Sequence, residues 1–112
     1  MFARLMGLKT ISPAALHDLM KQNDIAVIDV NSQQSFVKGH VPGAKHLDPA
    51  NYAADELPSG KDSMLVFYCS NPLCRKAPNA ARRAKGFGYT NVHVMSAGIS
   101  GWVNAKLPTE SA

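Results

Sequence analysis

The sequence predicts an α/β domain: a small parallel sheet of about five strands with helices on both faces. Three observations predict it. Short, nearly continuous apolar runs such as "IAVIDV" and "MLVFYC" have the pattern of strands buried on both faces. Segments with helical periodicity lie between them. Strands alternating with helices imply parallel pairing through right-handed crossovers. With 112 residues, 46% hydrophobic and 18% charged, the chain is expected to form one domain, its core running from about residue 8 to residue 107. That profile excludes a disordered tail.

Each element has its own signal. "ISPAALHDLMKQN" reads as a helix with Ser12 as N-cap, Pro13 in the first turn and Leu16, Leu19 and Met20 on one face. "IAVIDV" is the first buried strand. "GHVPGAKHLDP" is turn chemistry leading into a brief strand near Ala44 to Leu47. "MLVFYC" is the second buried strand. "RKAPNAARRAKG" is a helix whose small face, Ala77, Ala80, Ala81 and Ala84, repeats at helical spacing, with Pro78 in the first turn and Gly86 at the end. "NVHVM" is a further strand, and "SAGISGWVNAKLP" turns into a last helix carrying Trp102, expected to plug the core with Gly98 and Gly101 giving tight turns around it.

Charge is unevenly placed. Residues 1–62 hold six Lys/Arg and seven Asp/Glu; residues 63–112 hold six Lys/Arg against Glu110 alone. The excess positive charge therefore shares a half with both cysteines, a field that attracts anions and stabilises thiolates. Nucleic acid is not an expected partner, because no aromatic residues interleave with Arg75, Lys76, Arg82, Arg83 and Lys85. No run approaches a membrane span and "MFARLMGLKT" has no leader-like apolar stretch, so the expected location is the cytosol, with no membrane partner. Two cysteines are too few for a disulfide scaffold and fit a reducing compartment. A zinc site would need two more ligands, and the histidines are scattered; no metal or cofactor is expected.

The candidate site is "CSNPLCRK". Ligands of parallel sheets collect beyond the carboxyl ends of the strands, and this loop joins such an end to a helix start. Backbone N–H groups of Ser70, Asn71, Leu73, Cys74, Arg75 and Lys76, the helix dipole and the two cations would hold an anion and lower the pKa of the Cys69 thiol. Cys69 is thus predicted to be an activated nucleophile facing water.

Three stretches, taken together, resemble the single-domain rhodanese family. "VIDVNSQQSFVKGHVPGAKHL" is similar to that family's Asp after a buried strand followed by a Gly-His-Ile/Val-Pro-Gly-Ala turn. "FYCSNPLCRKA" is similar to its active-site loop, and "SAGISGW" to its C-terminal Gly-Gly-x-x-x-Trp signature with Ala97 in place of the first Gly. The resemblance implies a rhodanese-like fold and a sulfurtransferase in which Cys69 carries sulfane sulfur as a persulfide. The donor would be thiosulfate or another persulfide, oriented by Arg75, and the acceptor a thiol or cyanide. Asp29 and His40 would be structural residues near the site. Two departures stand out: Asn31 occupies a position where the family often has Arg, and the Cys-x5-Arg loop is nearer in length to that of rhodanese-like cell-cycle phosphatases. Cysteine phosphatase or arsenate reductase chemistry is one alternative, opposed by Pro72, which removes an amide from any phosphate nest. A non-catalytic docking or sulfur-relay module is the other.

Cys74 has two readings. If the loop curls enough to bring the Cα atoms within the roughly 4.4–6.8 Å a disulfide needs, Cys74 is a resolving thiol that ends the cycle in a disulfide for a thioredoxin-like reductant or another thiol protein. Otherwise it is a small apolar filler. Among the histidines, His17 is expected to face solvent, His40 to brace its turn, His46 to lie near the sheet edge and His93 to sit on a sheet face; none is expected to act as a base.

Overall fold

The computed structural model describes residues 7–112; the expectation for the first six residues of the N-terminal stretch lies outside the described residues. Five strands, β1 (Lys9–Thr10), β2 (Ala26–Asp29), β3 (Lys45–His46), β4 (Leu65–Tyr68) and β5 (Val92–Val94), form one sheet in the order β1-β5-β4-β2-β3. Every pairing is parallel. Helices α1 (Pro13–Met20), α2 (Gln33–Lys38), α3 (Lys76–Gly86) and α4 (Gly98–Asn104) and a 3-10 turn at Ala54–Glu56 connect them. The predicted class, strand number and two-sided covering are all present.

Strand alternation divides the core into two layers. Leu65, Phe67 and Cys69 from β4 and its extension join Ile28, Val92 and Val94 beneath the α3 alanines. Val66, Tyr68 and Met95 face the other way, with Leu16 of α1 and Trp102 of α4. Small alanines let α3 approach the sheet closely, and the burial of Ala77, Ala80, Ala81 and Ala84 follows from their helical spacing. Continuing the period of two past Tyr68 puts Cys69 on the α3 side. The sequence pattern alone thus decides which face of the sheet carries the thiol.

Several details were not anticipated. Helix α2 lies in a stretch for which no element was expected; Ser32 caps it, its hydroxyl accepting from the Ser35 amide at 3.2 Å. Two residues are too few for β1 to have left a periodic signal. His17 is half-buried, with its ring edge-on to Trp102 at 5.7 Å rather than fully solvated, because α1 and α4 lie side by side. The chain beyond residue 107 is also tied down. Glu110 and His40 exchange backbone hydrogen bonds, both at 2.9 Å, and the Glu110 carboxylate accepts from the Gly43 amide. No helix among the described residues is long and apolar enough to cross a membrane.

Candidate active site

β4 is the central strand, and the loop leaving its carboxyl end carries both cysteines into α3. Two anchors hold the start of that loop: the Ile99 amide donates to the Cys69 carbonyl at 2.9 Å and the Ser100 amide to the Ser70 carbonyl at 3.0 Å. The first turn of α4 is therefore bonded to the loop backbone. Gly98 makes this approach feasible. It adopts φ +68°, and a Cβ there would lie 2.6 Å from the Ser70 carbonyl carbon and oxygen. The tight turn expected of this glycine is present, and the glycine also lies against the backbone of the cysteine loop.

Loop geometry revises the expected anion cradle. Asn71 organises the turn by accepting from the Leu73 amide through its side chain at 2.9 Å and from the Cys74 amide through its carbonyl at 3.1 Å. Two of the amides counted on for an anion thus serve the turn, and Pro72 has none to offer. Leu73 projects outward, 78% exposed.

The turn brings Cys74 directly over Cys69. Their sulfurs are bonded and their Cα atoms are 6.5 Å apart. Cys69 is only 3% exposed, whereas Cys74 is half-buried. This corrects the expectation that the Cys69 sulfur faces water: in this oxidised state Cys74 covers it. Cys74 is at the same time packed against the core cluster that includes Cys69 and Ala77, as the filler reading expected.

A narrow cleft opens beside the pair, lined by Cys69, Asn71, Pro72, Cys74, Met95 and Ser96. The Ser96 hydroxyl is buried there without a hydrogen-bond partner. Ser96 was not singled out from the sequence. The available signal was its place, immediately past a strand end on the carboxyl edge of the sheet.

The expected structural residues brace the loop from behind. Asp29 is fully buried and accepts from the Tyr68 hydroxyl at 2.6 Å and the Asn31 amide at 2.8 Å. That hydroxyl in turn accepts from the Val41 amide at 3.0 Å. The "HVPG" turn, β2 and the residue before Cys69 are thereby joined through one phenol, whose ionisation is pushed upward by burial and by the adjacent Asp29 carboxylate. His40 stacks on Phe36 at 3.9 Å and donates from Nδ1 to its carbonyl at 2.7 Å. His46 donates from Nε2 to the Asn31 carbonyl at 2.7 Å, and with Lys76 it borders a second, shallower groove.

Not all the clustered cations face the loop. Arg83 donates from Nε to the Tyr52 carbonyl at 2.8 Å and lies over the rings of Tyr52 and Phe87, so its role is packing. Arg75 and Lys76, exposed at the entrance to α3, are the cations adjoining the cysteines.

A parallel α/β sheet with a cysteine loop feeding a central-strand edge defines the class. Residues 12–105 match the rhodanese-like domain family, and the chain belongs to that family. It is 30% identical over 107 residues to the thiosulfate sulfurtransferase GlpE of Haemophilus influenzae (strain PittEE), covering 96% of this chain and 99% of that protein. With the protein of the same description from Pseudomonas putida (strain GB-1) it shares 31% identity over 108 residues, covering 93% and 92%. Among solved structures, the BH2092 protein of Bacillus halodurans has the same fold, with a TM-score of 0.83 over 92% of this chain and 77% of that one, at 24% identity.

Proposed function

We propose that the protein is a sulfurtransferase that carries sulfane sulfur as a persulfide on reduced Cys69, taking it from thiosulfate or another persulfide and passing it to a thiol or cyanide. The observation that carries this reading is the placement of Cys69: at the carboxyl end of the central strand, its carbonyl held by the Ile99 amide of α4, on the loop that leads to a helix entrance flanked by Arg75 and Lys76. Relatives of matching length that are described as thiosulfate sulfurtransferases support it.

The chemistry follows from the local charges. A helix entrance and adjacent cations favour the thiolate, the attacking species. The Cys69 thiolate attacks the outer sulfur of thiosulfate, the sulfur–sulfur bond breaks, and sulfite leaves with the electron pair. Arg75 orients the dianionic donor, and the Ser96 hydroxyl donates to the sulfur anion in the cleft. Phosphoryl chemistry is less well served, because Pro72 and the amides committed to Asn71 leave the nest incomplete.

Reduced Cys74→Ser protein incubated with thiosulfate should gain the mass of one sulfur atom, lose it to cyanide as thiocyanate, and do neither when Cys69→Ala is added with the fold intact. Unchanged thiocyanate production by that variant would end the proposal.

A further inference from the structure

Cys69 is nearly sealed, yet the group that seals it is a second thiol held in bonding contact. Cys74 is thus the thiol nearest to any sulfur carried on Cys69. We infer that Cys74 is itself the first acceptor, so that the protein releases the transferred sulfur as hydrogen sulfide and is left as the Cys69–Cys74 disulfide. This inference rests on the persulfide reading above and adds to it a reductive half-cycle, with a dithiol as co-substrate.

Three features of the loop support it. The Asn71 turn fixes Cys74 through the 3.1 Å bond from its own amide, while α4 fixes Cys69 through its carbonyl at 2.9 Å. Both partners are held on backbone that is anchored independently of the sulfur–sulfur bond. Attack within such a pair is effectively unimolecular and outcompetes a millimolar external thiol. The exposures are also unequal: the half-buried Cys74 is open to a reductant and the 3% exposed Cys69 is not.

The steps balance. The Cys74 thiolate attacks the Sγ of persulfidated Cys69, the Sγ–Sγ bond forms, and the bond to the terminal sulfur breaks. That sulfur leaves with the electron pair and takes a proton as HS−. The sulfane sulfur is reduced by two electrons while the two cysteines are oxidised to the disulfide. A dithiol reductant then attacks the accessible Cys74 sulfur, expelling the Cys69 thiolate. The resulting mixed disulfide is resolved by the reductant's second thiol, which frees Cys74 and leaves the reductant oxidised.

The test is a single turnover without oxygen. Fully reduced protein, Cys74→Ser and Cys74→Ala are each mixed with thiosulfate, and sulfide, free thiols and intact mass are followed. The expected result is roughly one equivalent of sulfide from the unaltered protein with loss of both thiols. The Cys74 variants should retain the added sulfur and release less than about a tenth as much sulfide. An unaltered protein that keeps its persulfide with a free thiol beside it and releases no sulfide would overturn the resolving role while leaving the sulfurtransferase reading standing. Equal sulfide release by the variants would overturn it as well. Variants that never acquire sulfur, alongside an unaltered protein that neither gains sulfur nor yields sulfide, would instead remove the underlying persulfide reading.

Discussion

Gly98→Ala tests whether α4 positions the cysteine loop. A methyl at this position meets backbone: the Ser70 carbonyl carbon and oxygen at 2.6 Å and the Asn71 nitrogen at 2.7 Å. An ordinary contact begins near 3.4 Å, so the loop must retreat by about 0.8 Å, a distance at which misplacement costs up to roughly 100-fold in rate. The left-handed φ of +68° adds about 1–2 kcal/mol for a residue with a Cβ, and forcing a methyl into packed backbone adds about 1–3 kcal/mol. Together they amount to about 2–5 kcal/mol, or a fall in melting temperature of roughly 10–20 °C for a domain of this size. Retreat of the loop also stretches the amide bonds to Cys69 and Ser70, so persulfide formation should slow by roughly 10- to 100-fold. Gly39→Ala is the control, since its φ of 179° is ordinary extended backbone and nothing lies within 4 Å of the added Cβ. Calorimetry and a stopped-flow thiosulfate assay read the two effects. A Gly98→Ala protein that melts within about 2 °C of the parent and reacts at the same rate would refute the claim that this glycine sets the loop.

The remaining predictions concern the cleft and the titrating groups. Ser96→Ala should lower kcat/KM for thiosulfate by roughly 3- to 10-fold, the loss of one hydrogen bond, while leaving stability unchanged or higher because an unpaired buried hydroxyl is removed; a clear loss of stability with unchanged kinetics would assign Ser96 to the fold instead. Burial foremost raises the ionisation of both Tyr52 and Tyr68. The folded chain keeps two protons that the unfolded chain releases above about pH 10, so stability is intact below that pH and falls by roughly 2.7 kcal/mol per pH unit above it. Tyr52→Phe should halve that slope in alkaline denaturant titrations, and an unchanged slope would exclude Tyr52 from it. His93 titrates below its ordinary value, first because it is buried and second because Lys9 lies nearby. Its neutral form therefore supports the fold above about pH 6.5 and that support is lost as the pH falls through its lowered value; His93→Gln should flatten the acid limb of the stability curve, and NMR titration of the imidazole should report the depressed pKa.

Much of the architecture was legible because it depends on local pattern. Continuous apolar runs in β2 and β4, alanines at helical spacing in α3 and the caps at Ser12 and Pro13 each act within one element. The elements missed were those with too little local information: the two residues of β1 and the six of α2. The site was legible in part. Spacing placed Cys69 at a strand end and left two readings of Cys74 open, but periodicity carries no information about which loop amides face inward. The Asn71 turn spends two of them, and only the folded backbone reveals that. Ser96 and Gly98 lie more than twenty residues downstream of Cys69, and nothing near them in the chain indicates the loop they meet.

Taken alone, the order of residues determined the class of fold and the face of the sheet bearing the Cys69 thiol, because alternation and helical repeat act over a few neighbouring positions. Tertiary structure decided that Cys74 covers Cys69, that α4 clamps the loop through Gly98, and that Tyr68 joins Asp29 to the "HVPG" turn. Each of these is a contact between segments distant along the chain, formed only when parallel strands bring their ends to the same edge of the sheet.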